Sequence, residues 1–211
     1  MDENELKRVI QLSVVGTFVI ASLGLLLTKA NPFTLSTVRW ISGGLTCVTI
    51  FWAIFFRWGW KCPVLKQVFP KPDLNGTWFG TLTSDWTDDD GNGVPQLQFA
   101  IVIRQSFLHI HATTFTDKFM ARSYAESLVL DEKRGIKLIA YLYAQDTTSP
   151  GEENNREGAA ELRVVEASPT VLDGRYWSNA KTNGRIKVSR VSNGHADDFQ
   201  TASGMQIGSK S

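Results

Sequence analysis

Cysteine and histidine are scarce in this chain: Cys47 and Cys62, and His109, His111 and His195, are all that 211 residues hold. One cysteine lies within a long apolar run and the other just beyond it, which provides neither a disulfide framework nor a thiolate metal site. His109 and His111 share a strand face, as metal ligands would. No third histidine or nearby cysteine completes a set, so a structural or solvent-facing role is expected for them. An excess of charge is missing too. With 22 basic against 21 acidic residues, net +1, the chain lacks the basic stripe that binding to DNA or RNA requires. Also absent are a Gly-rich phosphate loop, a nucleophile elbow, a His-Glu-x-x-His helix and paired carboxylates at a defined spacing. Nothing marks an enzyme, and neither a cofactor nor a metal is expected.

Charge is also absent from two stretches, and there the absence is informative. Val9–Leu27 and Trp40–Phe56 carry no Asp, Glu, Lys, Arg or His. Each approaches the ~20 helical residues that cross a hydrocarbon core. A cleaved signal peptide does not suit the first run: it is long, Asp2, Glu3 and Glu5 precede it, and no small-residue cleavage pattern follows. The pattern predicts two transmembrane helices over 9–27 and 40–56, joined by a link with a turn at Asn31-Pro32. Residues 1–60 form an anchor, and 61–73, with Pro63, Pro70 and Pro72, a linker. No charge sits mid-span, which excludes a proton relay or ion-coupled transporter.

Small residues recur on both spans. Ser13, Thr17 and Ala21 fall at i, i+4 and i+8 with Gly24 one turn on, and Ser42, Gly43, Gly44 and Thr46 crowd one end of the second. Such faces let helices approach closely in lipid. They serve either an intramolecular hairpin or, beyond it, pairing between subunits in an oligomer.

Resolved along the chain, the balanced total splits. Residues 1–72 hold 8 basic and 3 acidic side chains, net +5, and the remainder 14 and 18, net −4. Lys7 and Arg8 precede the first span and Arg57, Lys61, Lys66 and Lys71 follow the second, against only Lys29 and Arg39 in the link. The positive-inside bias places both termini and everything after residue 57 in the cytoplasm, with Trp40, Trp58 and Trp60 at the interfaces.

From residue 74 the apolar period changes to two, and turn signals separate eight predicted strands: 76–86, 95–105, 107–116, 121–130, 136–144, 159–166, 171–178 and 185–191. Eight short, evenly spaced strands predict an up-and-down antiparallel β-barrel over 74–191, lipocalin-like and able to hold one small ligand. Charges on every face exclude a membrane-spanning barrel. Residues 192–211 show no period and are expected to be a disordered tail. Parity gives Trp78, Gly80, Leu82 and Trp86 one face of the first strand. In the fourth strand neither face is clearly inward, and in the fifth Tyr141 and Tyr143 fit either side.

Asp88-Asp89-Asp90-Gly91-Asn92-Gly93 matches the start of a calcium-binding loop. Its twelfth position is Phe99 rather than glutamate, and strands flank it, so an acidic hairpin is expected. Asn75-Gly76-Thr77 is a glycosylation sequon that matters only in a luminal domain. Glu126 and Glu161 are the strand carboxylates of interest. Aromatic and arginine side chains dot the strands, among them Trp78, Arg104, Arg122, Tyr124, Tyr141, Arg175, Tyr176, Trp177 and Arg190. Aromatic faces stack on nucleobases and arginine pairs with phosphate; equally, the aromatics fill a core and the arginines face water.

Two N-terminal spans, a Pro-containing linker, Asn75-Gly76-Thr77-Trp78-Phe79-Gly80 opening a β-rich domain and Asp173-Gly174-Arg175-Tyr176-Trp177 near its end together resemble the SMODS-associating two-transmembrane, β-strand-rich effectors of bacterial CBASS anti-phage defence. The resemblance covers about residues 6–191. It implies a barrel that senses a cyclic dinucleotide made by a partner CBASS nucleotidyltransferase. It further implies ligand-driven oligomerisation of the spans, disruption of the inner membrane and abortive cell death. Trp78, Arg122, Tyr124, Tyr141, Arg175 and Tyr176 are then the candidate ligand contacts. The alternative, favoured by Gly76-x-Trp78, is a tethered lipocalin-like barrel for a lipid or other small hydrophobic ligand.

Overall fold

A computed structural model describes residues 3–29, 34–87, 93, 95–131, 134–145, 156–165 and 170–208. The turn expected at Asn31-Pro32 and most of the acidic Asp88–Gly93 hairpin lie outside the described residues. The chain forms two compact units, residues 1–72 with 106–109, and residues 73–105 with 110–211.

In the first unit, α1 (Glu3–Thr28) and α2 (Leu35–Arg57) are the predicted apolar helices, with mean hydropathies of 2.2 and 1.5 over their most apolar 18-residue windows. Both are long and apolar enough to cross a bilayer. A short 3₁₀ turn (Gly59–Lys61) and α3 (Pro63–Lys66) follow within the expected linker. Small residues allow α1 and α2 to pack closely. A Cβ on Gly24 would lie 2.2 Å from the Trp40 ring, and one on Gly44 3.0 Å from the Thr17 carbonyl oxygen. Ser13 donates to the Val9 carbonyl, its hydroxyl accepts the Trp52 indole N–H at 2.7 Å, and Ala21 is buried. Ser42, Gly43 and Thr46 instead remain exposed, and nothing lies within 4 Å of a Cβ built on Gly43. Beyond α2, Trp52, Phe55, Trp60, Phe69 and Phe107 form a buried aromatic cluster. The Lys71 ammonium beside it donates to the Phe107 carbonyl at 2.8 Å and pairs with Glu5 at 3.2 Å. Cys47 and Cys62 are both exposed free thiols.

In the second unit, eight antiparallel strands close into a barrel in simple sequence order: β1 (Gly76–Ser84), β2 (Leu97–Gln105), β3 (Ile110–Phe115), β4 (Met120–Asp131), β5 (Ile136–Gln145), β6 (Glu157–Val165), β7 (Val171–Ser178) and β8 (Asn183–Ser192). All eight predicted strands are present. The third is shorter than expected, because Phe107, Leu108 and His109 belong to a turn closed by Ser106 N–H donating to the His109 carbonyl. The core is the inward set Trp78, Phe99, Ile101, Ile103, Ala112, Ile139, Tyr141, Leu162, Leu172, Ile186 and Val188, so Tyr141 points inward. The doubtful parity of the fourth strand has a physical cause. Its register shifts between Ser123 and Ala125, a bulge that doubles one position against the partner strand and switches which residues face in. Ala121 and Ser123 share the inward side before it, opposite Gln145 and Tyr143; Glu126 and Leu128 do so after it, opposite Tyr141 and Ile139.

The expectation of a disordered tail is corrected. Ser192 ends β8, and α4 (Phe199–Gly208) follows. The Asp198 carboxylate accepts the Thr201 N–H at 2.7 Å, and this hydrogen bond holds its pKa below the usual carboxylate value. That is an N-terminal cap. Phe199, Ala202 and Met205 recur every three residues and pack with Phe79, Ala100, Val102 and Phe115 on the outer face of β1–β3. A ten-residue helix is marginal by itself, and this apolar contact explains why it forms.

Candidate ligand cavity at the barrel mouth

The barrel is closed at one end and open at the other. At the end where β1 begins, Trp78 is fully buried, and its indole N–H donates to the Leu74 carbonyl at 3.0 Å. The Arg190 guanidinium lies over the Trp78 ring, 4.8 Å from its centroid, and donates to the Asp73 carbonyl. Burial holds the Arg190 pKa below its usual value, with Asp73 opposing the shift. Asn75 and Gln105 clasp the rim: the Asn75 carbonyl oxygen accepts the Gln105 N–H at 2.8 Å, its amide donates to the Gln105 carbonyl at 2.9 Å, and the Gln105 side chain accepts the Leu74 N–H. Aromatic bulk, a stacked cation and satisfied backbone groups occupy this end.

At the opposite end a cavity of about 420 Å³ opens. Leu82, Leu97, Phe99 and Ile186 form its apolar floor, Tyr143 and Tyr176 stand in the wall, and Trp86, Phe115 and Phe119 border it. Thr114, Gln145, Ser178 and Thr182 supply hydrogen-bonding groups, and Asp117, Lys118 and Arg156 supply charge. Among the described lining residues the cations are thus Lys118 and Arg156. The Arg156 guanidinium also lies over the Phe119 ring, 5.9 Å from its centroid.

Two glycines make space for the tyrosines. A Cβ on Gly158 would sit 2.6 Å from the Tyr143 hydroxyl, and one on Gly184 2.5 Å from the Tyr176 ring. Gly184 is also the direct ladder partner of Tyr176. Burial is the main cause that pushes the Tyr143 phenol up to about 12, with Tyr176 adding to the rise and Arg156 opposing it. Burial likewise raises Tyr141, with Tyr143 contributing. Near neutral pH both phenols keep their protons. The protonated Tyr143 hydroxyl donates to the Trp177 carbonyl at 3.5 Å, which leaves its oxygen as an acceptor and its ring as an apolar face toward the cavity.

Of the six candidate contacts from the sequence, Tyr176 lines this cavity. Tyr141 faces the barrel interior in the core, and Trp78 belongs to the closed end. Tyr124 is 60% exposed and sits at the bulge of β4. Arg175 is on the outer face, its guanidinium donating to the Glu161 carboxylate at 3.0 Å with a side chain 73% exposed. Arg122 pairs in register with Thr113, whose neighbour Thr114 lines the cavity, so Arg122 projects to the opposite face. Arg185 repeats the Arg175 pattern with Asp173 at 2.9 Å, and this pairing holds the Asp173 carboxyl below its usual value. Glu126 faces a gap between β3 and β4, where the Ser123 hydroxyl donates to it and His111 lies at 3.1 Å. Among the described residues no group of three metal-ligating side chains occurs.

Lys118, Arg156, Gln145 and Thr182 line the cavity but were not singled out in the sequence. They lie at or beyond strand ends, where period-two parity says nothing about direction. One signal was available. Gly76-x-Trp78 marks the filled end, so the cavity lies at the end where β3 joins β4 and β6 begins, beside Lys118 and Arg156.

Comparison with known proteins agrees with this architecture. Residues 69–190 match the family described as Cap15, cyclic dinucleotide receptor domain. A CD-NTase-associated protein 15 from Escherichia albertii is 28% identical over 189 residues, covering 84% of this chain and 88% of the relative. A protein of the same name from Staphylococcus schleiferi is 21% identical over 181 residues, covering 85% and 95%. The family match runs from before β1 to Arg190 in β8, and it bears out the resemblance drawn from the sequence: the chain belongs to the Cap15 family.

Proposed function

We propose that the barrel mouth binds a cyclic dinucleotide, with the phosphates at Lys118 and Arg156 and a base held against Tyr143 and Tyr176. The cavity carries this reading: in a barrel of the Cap15 receptor family, its two cations stand beside two wall tyrosines above an apolar floor. A cyclic dinucleotide needs that pairing, since its phosphates seek charge-assisted hydrogen bonds and its bases seek flat apolar faces. The residues after position 72 are acidic overall, net −4, so local cations rather than the domain's field must hold the anion. Calorimetry of the purified full chain in detergent against a panel of cyclic dinucleotides tests the reading. Binding of one member with micromolar or better affinity is expected; absence of heat with every member, in protein shown to be folded, refutes it.

Signal output belongs to the same proposal. α1 and α2 anchor the chain in the bacterial inner membrane with the barrel in the cytoplasm, as the cations flanking the spans suggest. Ligand binding promotes self-association of the spans, which disrupts the membrane and ends in abortive cell death. The exposed small-residue stripe Ser42, Gly43 and Thr46 supports association between copies, because Ser13, Thr17, Gly24 and Gly44 are already used between α1 and α2. Co-expression with an active cyclic-dinucleotide synthase should be toxic, and a chain lacking residues 1–60 should be harmless. Toxicity that persists without the helices would remove the membrane step.

The apolar floor also suits a small hydrophobic ligand. Native mass spectrometry separates the two readings, since a co-purifying lipid that cyclic dinucleotides fail to displace would favour the second.

A further inference from the structure

Helix α4 and the lip of the cavity stand on one rung of the barrel. Register pairs Phe79 with Ala100, Ala100 with Phe115, and Phe115 with Met120, a continuous row across β1, β2, β3 and β4. All four residues belong to the apolar cluster that contains Phe199, Ala202 and Met205 of α4. Phe115 is 6% exposed and at the same time borders the cavity. The turn joining Phe115 to Met120 is the lip itself: Thr116, Asp117, Lys118 and Phe119 line the cavity. Lys118, the proposed phosphate contact, is thus carried on a turn whose two ends, Phe115 and Met120, belong to the same apolar cluster as α4.

The helix is held to the barrel by the segment before it and by its own apolar side chains. Upstream, the Thr77 hydroxyl donates to the Gly194 carbonyl at 2.8 Å and accepts the Ala196 N–H at 2.9 Å, while His195 Nε2 lies 3.1 Å from the Ile103 carbonyl. Within the helix, Ala202 is fully buried, and the Phe199 ring lies 5.8 Å from that of Phe79. Interiors packed this closely transmit small displacements instead of absorbing them.

We propose that docked α4 is a positioning element for the ligand site: by fixing Phe115 and Met120 it holds the Thr116–Phe119 lip, and with it Lys118, in the ligand-binding arrangement. The inference rests on the cyclic dinucleotide reading above. Coupling between two sites is reciprocal, so helix docking must strengthen ligand binding and the ligand must protect the helix.

Three measurements on the full chain in detergent test this. The first is the affinity of the unaltered chain for whichever cyclic dinucleotide the panel identifies. The second is the affinity of a chain ended after Asp198, which keeps the Thr77 strap, together with Phe199→Ala and Phe199→Leu. We expect a loss of about tenfold on truncation, within the 5- to 150-fold usual for such coupling, a smaller loss for Phe199→Ala, and recovery with Phe199→Leu. Ile207→Asn, on an exposed position of the same helix, should change nothing. The third uses the unaltered chain alone: hydrogen exchange in 199–208 should slow when ligand is added. If the unaltered chain binds no cyclic dinucleotide, the functional reading fails. If it binds, but truncation leaves affinity equal or higher, or exchange in α4 is unmoved, the role of α4 is overturned while the functional reading stands.

Discussion

The two ends of the barrel are built from the same eight strands, and they have opposite characters. At one end Trp78, Leu74 and Arg190 fill the bore, and each polar group at the rim named above, save the buried Arg190 Nε, has a partner. At the other, glycines at 158 and 184 stand where side chains would crowd Tyr143 and Tyr176, and a cavity remains. The difference teaches that a small barrel's binding site is set by a few inward positions at one rim. Interior volume is fixed by strand number, and the sequence chooses which end to fill. Cations follow the same division. Arg190 is spent on the plug, Arg175 and Arg185 on outer ion pairs, and Lys118 and Arg156 on the open mouth.

Substitutions should separate these roles, and the largest effect belongs to the plug. Trp78→Ala leaves a large void at the closed end and should cost about 3–5 kcal/mol of stability, read by denaturant unfolding of the full chain. A loss below about 1 kcal/mol would mean the plug does not stabilise the barrel. Next comes the mouth. Arg156→Ala combined with Lys118→Ala should weaken cyclic dinucleotide binding by about 10- to 150-fold, since hydrogen bonds to charged groups contribute roughly 1.5–3 kcal/mol, while unfolding is little changed. Outer-face cations should matter least for the ligand. Arg175→Gln removes an exposed ion pair worth about 0–1 kcal/mol and should leave affinity unaltered; a tenfold loss would move the site to the outside of the barrel. The smallest effect is a pH dependence. Tyr143 is raised to about 12 in the folded chain against about 10 when unfolded. Its contribution to stability is complete below pH 10 and declines as pH rises from 10 toward 12, because the unfolded chain loses its proton first. In Tyr143→Phe that part of the alkaline decline should disappear from unfolding curves collected between pH 9 and 12.

Much of the fold was legible. Charge-free runs gave the two helices, period-two patterning with turn signals gave eight strands, and even spacing gave a closed barrel. The misreadings have physical causes. Parity fails where a bulge switches faces, as between Ser123 and Ala125 in β4, so period two does not show that Arg122 and Tyr124 point away from the barrel interior. Trp78 has the aromatic face a base would stack on, but Leu74 and Arg190 occupy it. The tail looked aperiodic because α4 docks by only three apolar residues. Asp198 as a cap, followed by Phe199, Ala202 and Met205 at helical spacing, was the signal that could have found it. Lys118 and Arg156 could not be ranked above other cations, because what distinguishes them is which end of the barrel stays open.

The central claim is that ligand enters the unplugged end. Hydrogen exchange of the full chain with and without a bound cyclic dinucleotide tests it most directly. Slowed exchange should concentrate in residues 114–121 and 176–184, around the mouth, with residues 74–79 and 188–191 unaffected. Protection centred on 74–79 and 188–191, with the mouth unmoved, would contradict it.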